Sequence, residues 1–228
     1  MFLQNMHNPL VKLYDFTVIS GGQTGVDIAA LRAAQCLGLK TGGMAPKGYK
    51  TIAGPKAGLK TTFRLKESNG GYSVRTRYNV EHSNATLIMA SKMDSHGTAL
   101  TLVCAKVSER PTFCFQIAEP QNGQISIDPN MINNCIGWIT SMLKPDQDFI
   151  LNVAGNSSTT SPNIFIPAFV LCTEIFAQVA FKTNEIIESE LVERYQKCRT
   201  DFQMVQALAD NYDYIGDLDP RGLRGLIL

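Results

Sequence analysis

Hydrophobic and polar positions along the chain alternate between short apolar runs and longer segments with helical spacing. Residues 17–20 are β-branched and apolar up to a Gly-Gly break, which predicts a buried strand, and residues 24–37 predict the helix behind it. The same alternation predicts strands at 84–90, 111–117 and 148–155, and helices at 97–109, 128–143 and from Ser161 onward. This order favours an α/β fold: a Rossmann-like parallel sheet in a three-layer sandwich, whose ligands bind at the carboxyl ends of the strands.

Two segments depart from the alternation. Residues 40–72 are rich in Gly, Pro, Lys and Thr and have little periodicity, which predicts mostly loop with a short strand at 41–45, before a helix that covers 75–81. After Lys182, apolar residues at helical spacing predict an added C-terminal amphipathic helix that packs on the chain's own sheet; they are Ile187, Leu191, Tyr195, Cys198, Phe202 and Val205. We therefore expect a ligand-binding domain at 1–180 and a helical extension and tail at 181–228.

Composition narrows the class of protein. The longest apolar runs are too short to span a bilayer and the N-terminus lacks the pattern of a signal peptide, so we expect a cytoplasmic protein with no membrane partner. The net charge of +1 divides into +8 over residues 1–80 and −7 over residues 81–228. A basic half with glycine loops favours a small anionic ligand, although a solvated lysine surface explains it too. Near-neutral overall charge and the lack of a recognised motif argue against nucleic acid.

The stretch "VISGGQTGVD" places Gly21, Gly22, Gln23, Thr24 and Gly25 between the first strand and its helix. Backbone N–H groups and the positive end of the helix at such a turn suit an anion, although a tight structural turn remains the alternative. The pattern is neither Walker A nor GxGxxG, so it predicts neither a nucleoside triphosphatase nor a simple dehydrogenase. Asp27, two residues into the helix, is by itself better explained as a structural acid.

Further candidates follow in the basic half and after the next strand. Lys47 beside Gly48 can meet a phosphate, and Arg75, Thr76 and Asn79 offer a guanidinium and hydrogen-bonding groups. Gly97 and Thr98 repeat the glycine turn and predict a second phosphate cradle. Glu67 is a candidate general acid or base. The three histidines and six single cysteines lack metal spacing, so we expect no metal site.

The segments "ISGGQTGVD", "APKG", "RLKES", "YSVRTRYNV", "NATLIM", "GTALT" and "LNVAG" resemble the putative molybdenum carrier family over about residues 18–175. That family is part of a wider group of Rossmann-like domains that includes the cytokinin-activating, lysine-decarboxylase-like proteins and the DNA-processing Smf proteins. The resemblance implies a homo-oligomer that holds molybdenum cofactor (molybdopterin) or a related small phosphorylated ligand.

The residues that match the family's pattern are Gly21, Gly22, Gln23, Thr24, Gly25, Asp27, Lys47, Gly48, Arg75, Thr76, Asn79, Gly97, Thr98, Asn152 and Gly155. The chain departs from the pattern in three places. Ala53 stands where the family usually has an acid, His96 stands where a glycine is common, and Asn156 and Ser157 stand where the family usually has a Pro-Arg pair. The related cytokinin-activating enzymes carry a glutamate just after the Gly-Thr pair, where this chain has Ala99, Leu100 and Thr101. We assign no catalytic residue from the pattern.

These observations favour a binding protein that captures a phosphorylated pterin or nucleotide-like ligand without turnover. In this hypothesis Gln23, Thr76 and Asn79 orient the ligand. Two alternatives stay open. A nucleoside monophosphate phosphoribohydrolase would need Glu67 or Asp27 in place of the missing glutamate. A nucleotide-sensing domain would signal through the C-terminal helix.

Overall fold

A computed structural model describes residues 16–118, 128–144, 147–183 and 192–200. Its centre is a five-stranded parallel sheet in the order β2-β1-β9-β7-β8, and four further short strands form two small sheets, β3-β6 and β4-β5. The strands are β1 (Phe16–Ile19), β2 (Lys40–Gly42), β3 (Met44–Ala45), β4 (Lys50–Thr51), β5 (Gly54–Pro55), β6 (Lys66–Glu67), β7 (Ala85–Ala90), β8 (Thr112–Gln116) and β9 (Phe149–Gly155). The helices are α1 (Val26–Cys36), α2 (Gly58–Phe63), α3 (Tyr72–Glu81), α4 (His96–Val107), α5 (Pro129–Thr140) and α6 (Phe165–Thr183).

Helices cover both faces of the sheet, so the Rossmann-like three-layer sandwich predicted from the sequence is confirmed. Alternate strand residues such as Val18, Leu87 and Leu151 are fully buried in one cluster with α1, α5 and α6. On the opposite face α3 packs on α4, and α4 in turn contacts β7 and β9. None of the described helices is both long and apolar enough to cross a bilayer.

The last strand among the described residues lies in the middle of the sheet. β9 pairs in parallel with β1 on one side and with β7 on the other, with Val18 opposite Leu151 and Leu87 opposite Val153. If β9 is counted as the first strand, the order becomes the 3-2-1-4-5 order of a doubly wound sheet. The point at which that order reverses then lies between β9 and β7, and it is there that such sheets bind ligands.

The prediction of mostly loop at 40–72 is wrong, because this segment contains α2 and five short strands. The predicted strand at 41–45 is divided: β2 joins the main sheet, whereas β3 pairs with β6. Gly43 separates the two with φ 114°, and a side chain there would collide with the backbone oxygen of Ser20. Two-residue strands whose partner is about 20 residues away leave no periodic pattern, so the local sequence could not reveal them.

The described part of the C-terminal segment packs on the main core. α6 runs through the boundary predicted at residue 180, and residues 192–200 are helical with Cys198 buried in the main core. The Tyr195 hydroxyl donates to Glu174 of α6. Residues 192–200 therefore pack on the main core and on α6. Of the predicted apolar stripe, Ile187, Leu191, Phe202 and Val205 lie outside the described residues.

The close approach of β9 to β7 at Gly155 gives a test of the fold. A side-chain carbon at Gly155 would overlap the backbone oxygen of Met89, whereas one at Gly137, inside α5, would meet open space. We expect Gly155→Ala to lower the free energy of unfolding by about 2 kcal/mol or more, and Gly137→Ala to raise it by about 0.5–1 kcal/mol through helix propensity. Urea denaturation measures both, and equal effects of the two variants would contradict this packing.

Candidate functional site

A cleft of about 500 Å³ opens at the carboxyl edge of the sheet, at the ends of β9 and β7. Five segments of chain contribute to it: the β1–α1 loop, the β4–β5 hairpin, the starts of α3 and α4, and the loop after β9. Its lining consists of Gln23, Asp27, Ile52, Tyr72, Ser73, Arg75, Thr76, Ser95, His96, Gly97, Leu100, Thr101, Ala154, Gly155, Ser157 and Thr160. Its size is within the range of pockets that enclose small ligands, about 300–1,000 Å³.

The side chain of Asn156 holds the walls of the cleft together. Its Oδ1 accepts from the backbone N–H groups of Ser91 and Lys92 at 3.0 and 2.8 Å. Its Nδ2 donates to the Lys92 carbonyl and the Ser95 hydroxyl, both at 3.0 Å. Asn156 is 2% exposed, and its backbone oxygen accepts from the N–H of Val26, the first residue of α1, at 3.1 Å. One residue thus connects three of the loops that shape the cleft.

In the glycine loop after β1, the Asp27 carboxylate of the protein accepts a hydrogen bond where the sequence predicted a bound anion. Gly22 and Gly25 have φ of 72° and 89°, which turn the chain sharply into α1. The Gln23 N–H donates to Oδ2 of Asp27 at 3.2 Å, and the Val26 N–H is bonded to Asn156. Asp27 therefore occupies the concave side of the loop, and at least two of the N–H groups counted on for a phosphate are bonded within the protein.

Asp27 forms a buried ion pair with Arg75. Nη2 of Arg75 lies 3.2 Å from Oδ2 of Asp27, and the two side chains are 12% and 4% exposed. The guanidinium packs directly against Gly21, so a side chain there would displace it. Burial raises the pKa of the Asp27 carboxyl above its usual value, while Arg75 and the Gln23 N–H oppose that rise. The Arg75 guanidinium places a positive charge in the cleft wall, and the adjacent Asp27 carboxylate largely offsets it.

The second predicted cradle, at the start of α4, is open. The Ser95 hydroxyl caps the helix by accepting from the Thr98 N–H at 3.4 Å, and Thr98 itself is buried against Asn156. His96 and Gly97 are exposed and line the cleft. In the part of the chain that the structure describes, their backbone N–H groups have no partner. The positive end of α4 therefore faces the cleft with two donors available.

Several residues predicted for the site lie outside the cleft lining. The Gly48 N–H donates to Glu67 at 2.6 Å, so this pair closes the loop that carries Lys47. The Asn79 side chain bonds both the N–H and the carbonyl of Met44, at 2.8 and 3.1 Å. Nδ2 of Asn152 reaches the Thr86 hydroxyl inside the sheet at 3.3 Å. Gly48, Asn79 and Asn152 therefore make contacts that stabilise the fold. The turn beside the cleft is formed by Gly21, Gly22, Thr24 and Gly25.

The pattern missed residues that do line the cleft. Ile52 and Tyr72 are 52% and 40% exposed there, and both come from the segment without periodicity, where no signal marked them. Ser95 could have been found, because a serine three residues before Thr98 is a helix-capping signal. Ser157 and Thr160 line the opposite wall, with their hydroxyl oxygens 3.1 Å apart. Within the described residues no cluster of His, Cys, Asp and Glu could hold a metal ion.

Comparison with known proteins identifies a family and a similar solved structure. The circularly permutated YpsA SLOG family matches residues 18–176 of the chain. A solved structure from Syntrophus aciditrophicus SB, named as a putative molybdenum carrier protein, is similar with a TM-score of 0.55 and 28% sequence identity. That match covers 74% of this chain and 97% of the other. No curated protein matches the sequence.

The Asn156 contacts predict a large effect of a nearly isosteric change. Asn156→Asp replaces the donating Nδ2 by an oxygen that faces the Lys92 carbonyl, so we expect the free energy of unfolding to fall by about 2 kcal/mol or more. Asn130→Asp, in the exposed first turn of α5, should change it by no more than about 0.5 kcal/mol. Thermal or urea unfolding compares the two variants, and a mild Asn156→Asp effect would mean that the amide does not hold these loops.

The Asp27 pair predicts a pH dependence with a definite sign. Because burial raises the folded-state pKa of Asp27 above the ordinary 3.8, its contribution to the free energy of unfolding is greatest below that value and is lost as pH rises through the folded pKa. Arg75→Met should raise the pKa of Asp27 further, since it removes the opposing charge. Arg77→Met, exposed on the same helix, should leave it unchanged. Carboxyl NMR titration measures all three proteins, and a lower pKa in Arg75→Met would refute the assignment.

Proposed function

This chain belongs to the circularly permutated YpsA SLOG family, and on that premise we propose that its cleft captures a phosphorylated pterin or nucleotide-like ligand. Molybdenum cofactor is the first candidate, since the similar solved protein is named a molybdenum carrier. The open start of α4 is the observation that carries the proposal. It presents two backbone donors and a positive helix end to a cleft at the reversal point of the sheet order.

The phosphate end of the ligand would lie at the start of α4. The N–H groups of His96 and Gly97 supply hydrogen bonds, and the hydroxyls of Ser157 and Thr160 line the facing loop. Gly97 leaves room for close approach, because nothing lies within 4 Å of the position a side-chain carbon would take. These neutral donors suit a phosphate better than they suit an apolar ligand.

The ring end of the ligand would contact Tyr72 and Ile52. Both side chains are unusually exposed for their size and both line the cleft, so covering them with a flat ring removes apolar surface from water. The aromatic ring of Tyr72 can stack on a pterin or a purine alike. Shape and donors in the cleft therefore fit a ligand with a planar heterocycle at one end and a phosphate at the other.

A hydrolytic reaction is the second candidate, and one observation keeps it in view. Asp27 lines the cleft with a raised pKa, as a general acid would require, and it is the carboxylate among the lining residues. Glu67, the other acid considered, lies outside the lining and is bonded to Gly48. Leu100 and Thr101 line the cleft next to the position where the related enzymes carry glutamate. Capture is favoured, because Asp27 is already engaged by Arg75.

Gly97→Asp tests the phosphate position without endangering the fold. The added carboxylate has room, and an acid in the first turn stabilises a helix, but it repels a bound phosphate. We expect molybdenum cofactor at 100 times its Kd to stabilise the native protein by about 2.7 kcal/mol, and Gly97→Asp to abolish most of this effect. Gly97→Asn, which is neutral and similar in size, should keep much more of it.

Thermal unfolding with and without cofactor gives the comparison, and chromatography of nucleoside monophosphates incubated with the protein tests for turnover. No stabilisation of the unmodified protein by cofactor or by any nucleotide would contradict capture. Release of free base, lost in Asp27→Asn, would replace capture by hydrolysis.

A further inference from the structure

The side-chain amide of Gln23 has a fixed orientation at the cleft wall. Its Oε1 accepts from the backbone N–H groups of Thr24 and Ile52 at 3.0 and 2.9 Å. Only the oxygen of an amide can accept two N–H bonds, so these contacts decide which atom is oxygen and which is nitrogen. The Nε2 group, with its two donors, is therefore the part of Gln23 left to face away from Thr24 and Ile52.

This amide nitrogen has no hydrogen-bond partner among the residues that the structure describes, although Gln23 is only 8% exposed and lines the cleft. The Thr76 hydroxyl likewise has no hydrogen-bond partner in the described ranges, and Thr76 is 6% exposed and lines the cleft. Arg75 lines the same wall, and its buried Nε also has no partner there. Of these three groups, Arg75 Nε is itself fully buried, whereas the Gln23 amide nitrogen and the Thr76 hydroxyl stay accessible on side chains that line the cleft. This wall therefore presents donors that an acceptor bound in the cleft can use, and a buried donor such as Nε is nearly always bonded.

We propose that Gln23, supported by Thr76 and by Nε of Arg75, binds the oxo group of the ligand's heterocycle, so that the cleft selects a 6-oxopurine or 4-oxopterin ring over a 6-aminopurine ring. The inference rests on the proposed function. It adds the specificity-determining group and the class of ring. An oxo group accepts the Nε2–H bonds, whereas a ring amino group in the same place presents donors to a donor and leaves both unbonded.

The opposite end of the ligand then lies at the start of α4. Gln23 belongs to the loop after β1, and Gly97 belongs to the loop after β7, so the two groups come from different walls of one cleft. An oxo group at the Gln23 wall and a phosphate at Gly97 fix the direction in which the ligand enters. Asp27 remains paired with Arg75 in the same wall as Gln23.

The test compares three probes on the intact protein by calorimetry or thermal shift: inosine monophosphate, adenosine monophosphate and ribose 5-phosphate. The two nucleotides differ at the 6-position of the purine and its neighbouring nitrogen, and the sugar phosphate lacks the ring. We expect the inosine nucleotide to bind at least about tenfold more tightly than the adenosine nucleotide. Gln23→Glu should remove this preference, because it keeps an oxygen for Thr24 and Ile52 but loses both donors.

Ribose 5-phosphate is the internal control. Its affinity should be unchanged in Gln23→Glu, since its phosphate reports on the α4 end, and it should fall in Gly97→Asp. Thr76→Val removes a hydroxyl that has no partner among the described residues, and it should reduce the preference as well; it takes the place of Gln23→Glu if the buried carboxylate of that variant impairs folding. Equal affinities for the two nucleotides would overturn the inference and leave the proposed function intact. Failure of all three probes to bind would overturn the inference, and the proposed function would fall with it if molybdenum cofactor also gave no stabilisation.

Discussion

The cleft depends on one buried amide. Asn156 satisfies donors and acceptors on the loop after β7 with its side chain and the first N–H of α1 with its backbone oxygen. Parallel strands end at a common edge, but the loops beyond them have no ladder to hold them. A short polar side chain with two donors and an acceptor can join such loops at fixed distances, and at 2% exposure it does so without competition from water. The open start of α4 is positioned by these bonds.

The glycine loop has a different task from the one its composition suggests. Its turn aims N–H groups inward, and the Asp27 carboxylate accepts at least one of them while pairing with Arg75. Burying such a pair costs desolvation energy, so it is weak evidence for stability and better evidence for a fixed local geometry. That geometry keeps Gln23 against the β4–β5 hairpin through Ile52. The loop thus arranges one wall of the cleft, and the start of α4, with two backbone N–H groups that are unbonded among the described residues, forms another.

Circular permutation explains why the cleft at the reversal point of the sheet is formed in part by a loop that follows β9. Because β9 is the central strand, the loop after β9 takes the place that the loop after the first strand has in an ordinary doubly wound sheet. Asn156, Ser157 and Thr160 lie in that loop, and they contact or face the start of α4 across the reversal point. The departure from the Pro-Arg pair that the resemblance implies therefore lies in this loop, where Asn156 bonds the start of α4 and Ser157 lines the cleft.

The sequence by itself determined the elements that depend on neighbours along the chain. Apolar runs and capping residues located β1, β7, β8 and β9 and the helices behind them, and the glycine turns, with the family resemblance, brought Gln23, Arg75 and Gly97 to attention. Tertiary structure alone decided which strands pair, because the paired strands are distant along the chain. β9 lies between β1 and β7, and β3 pairs with β6 across a segment without periodicity. It also separated residues that the pattern treated alike. Among the described residues the Gln23 amide nitrogen at the cleft is unbonded, whereas the Asn79 amide is bonded to Met44, since a side chain's free donors depend on what folds against it.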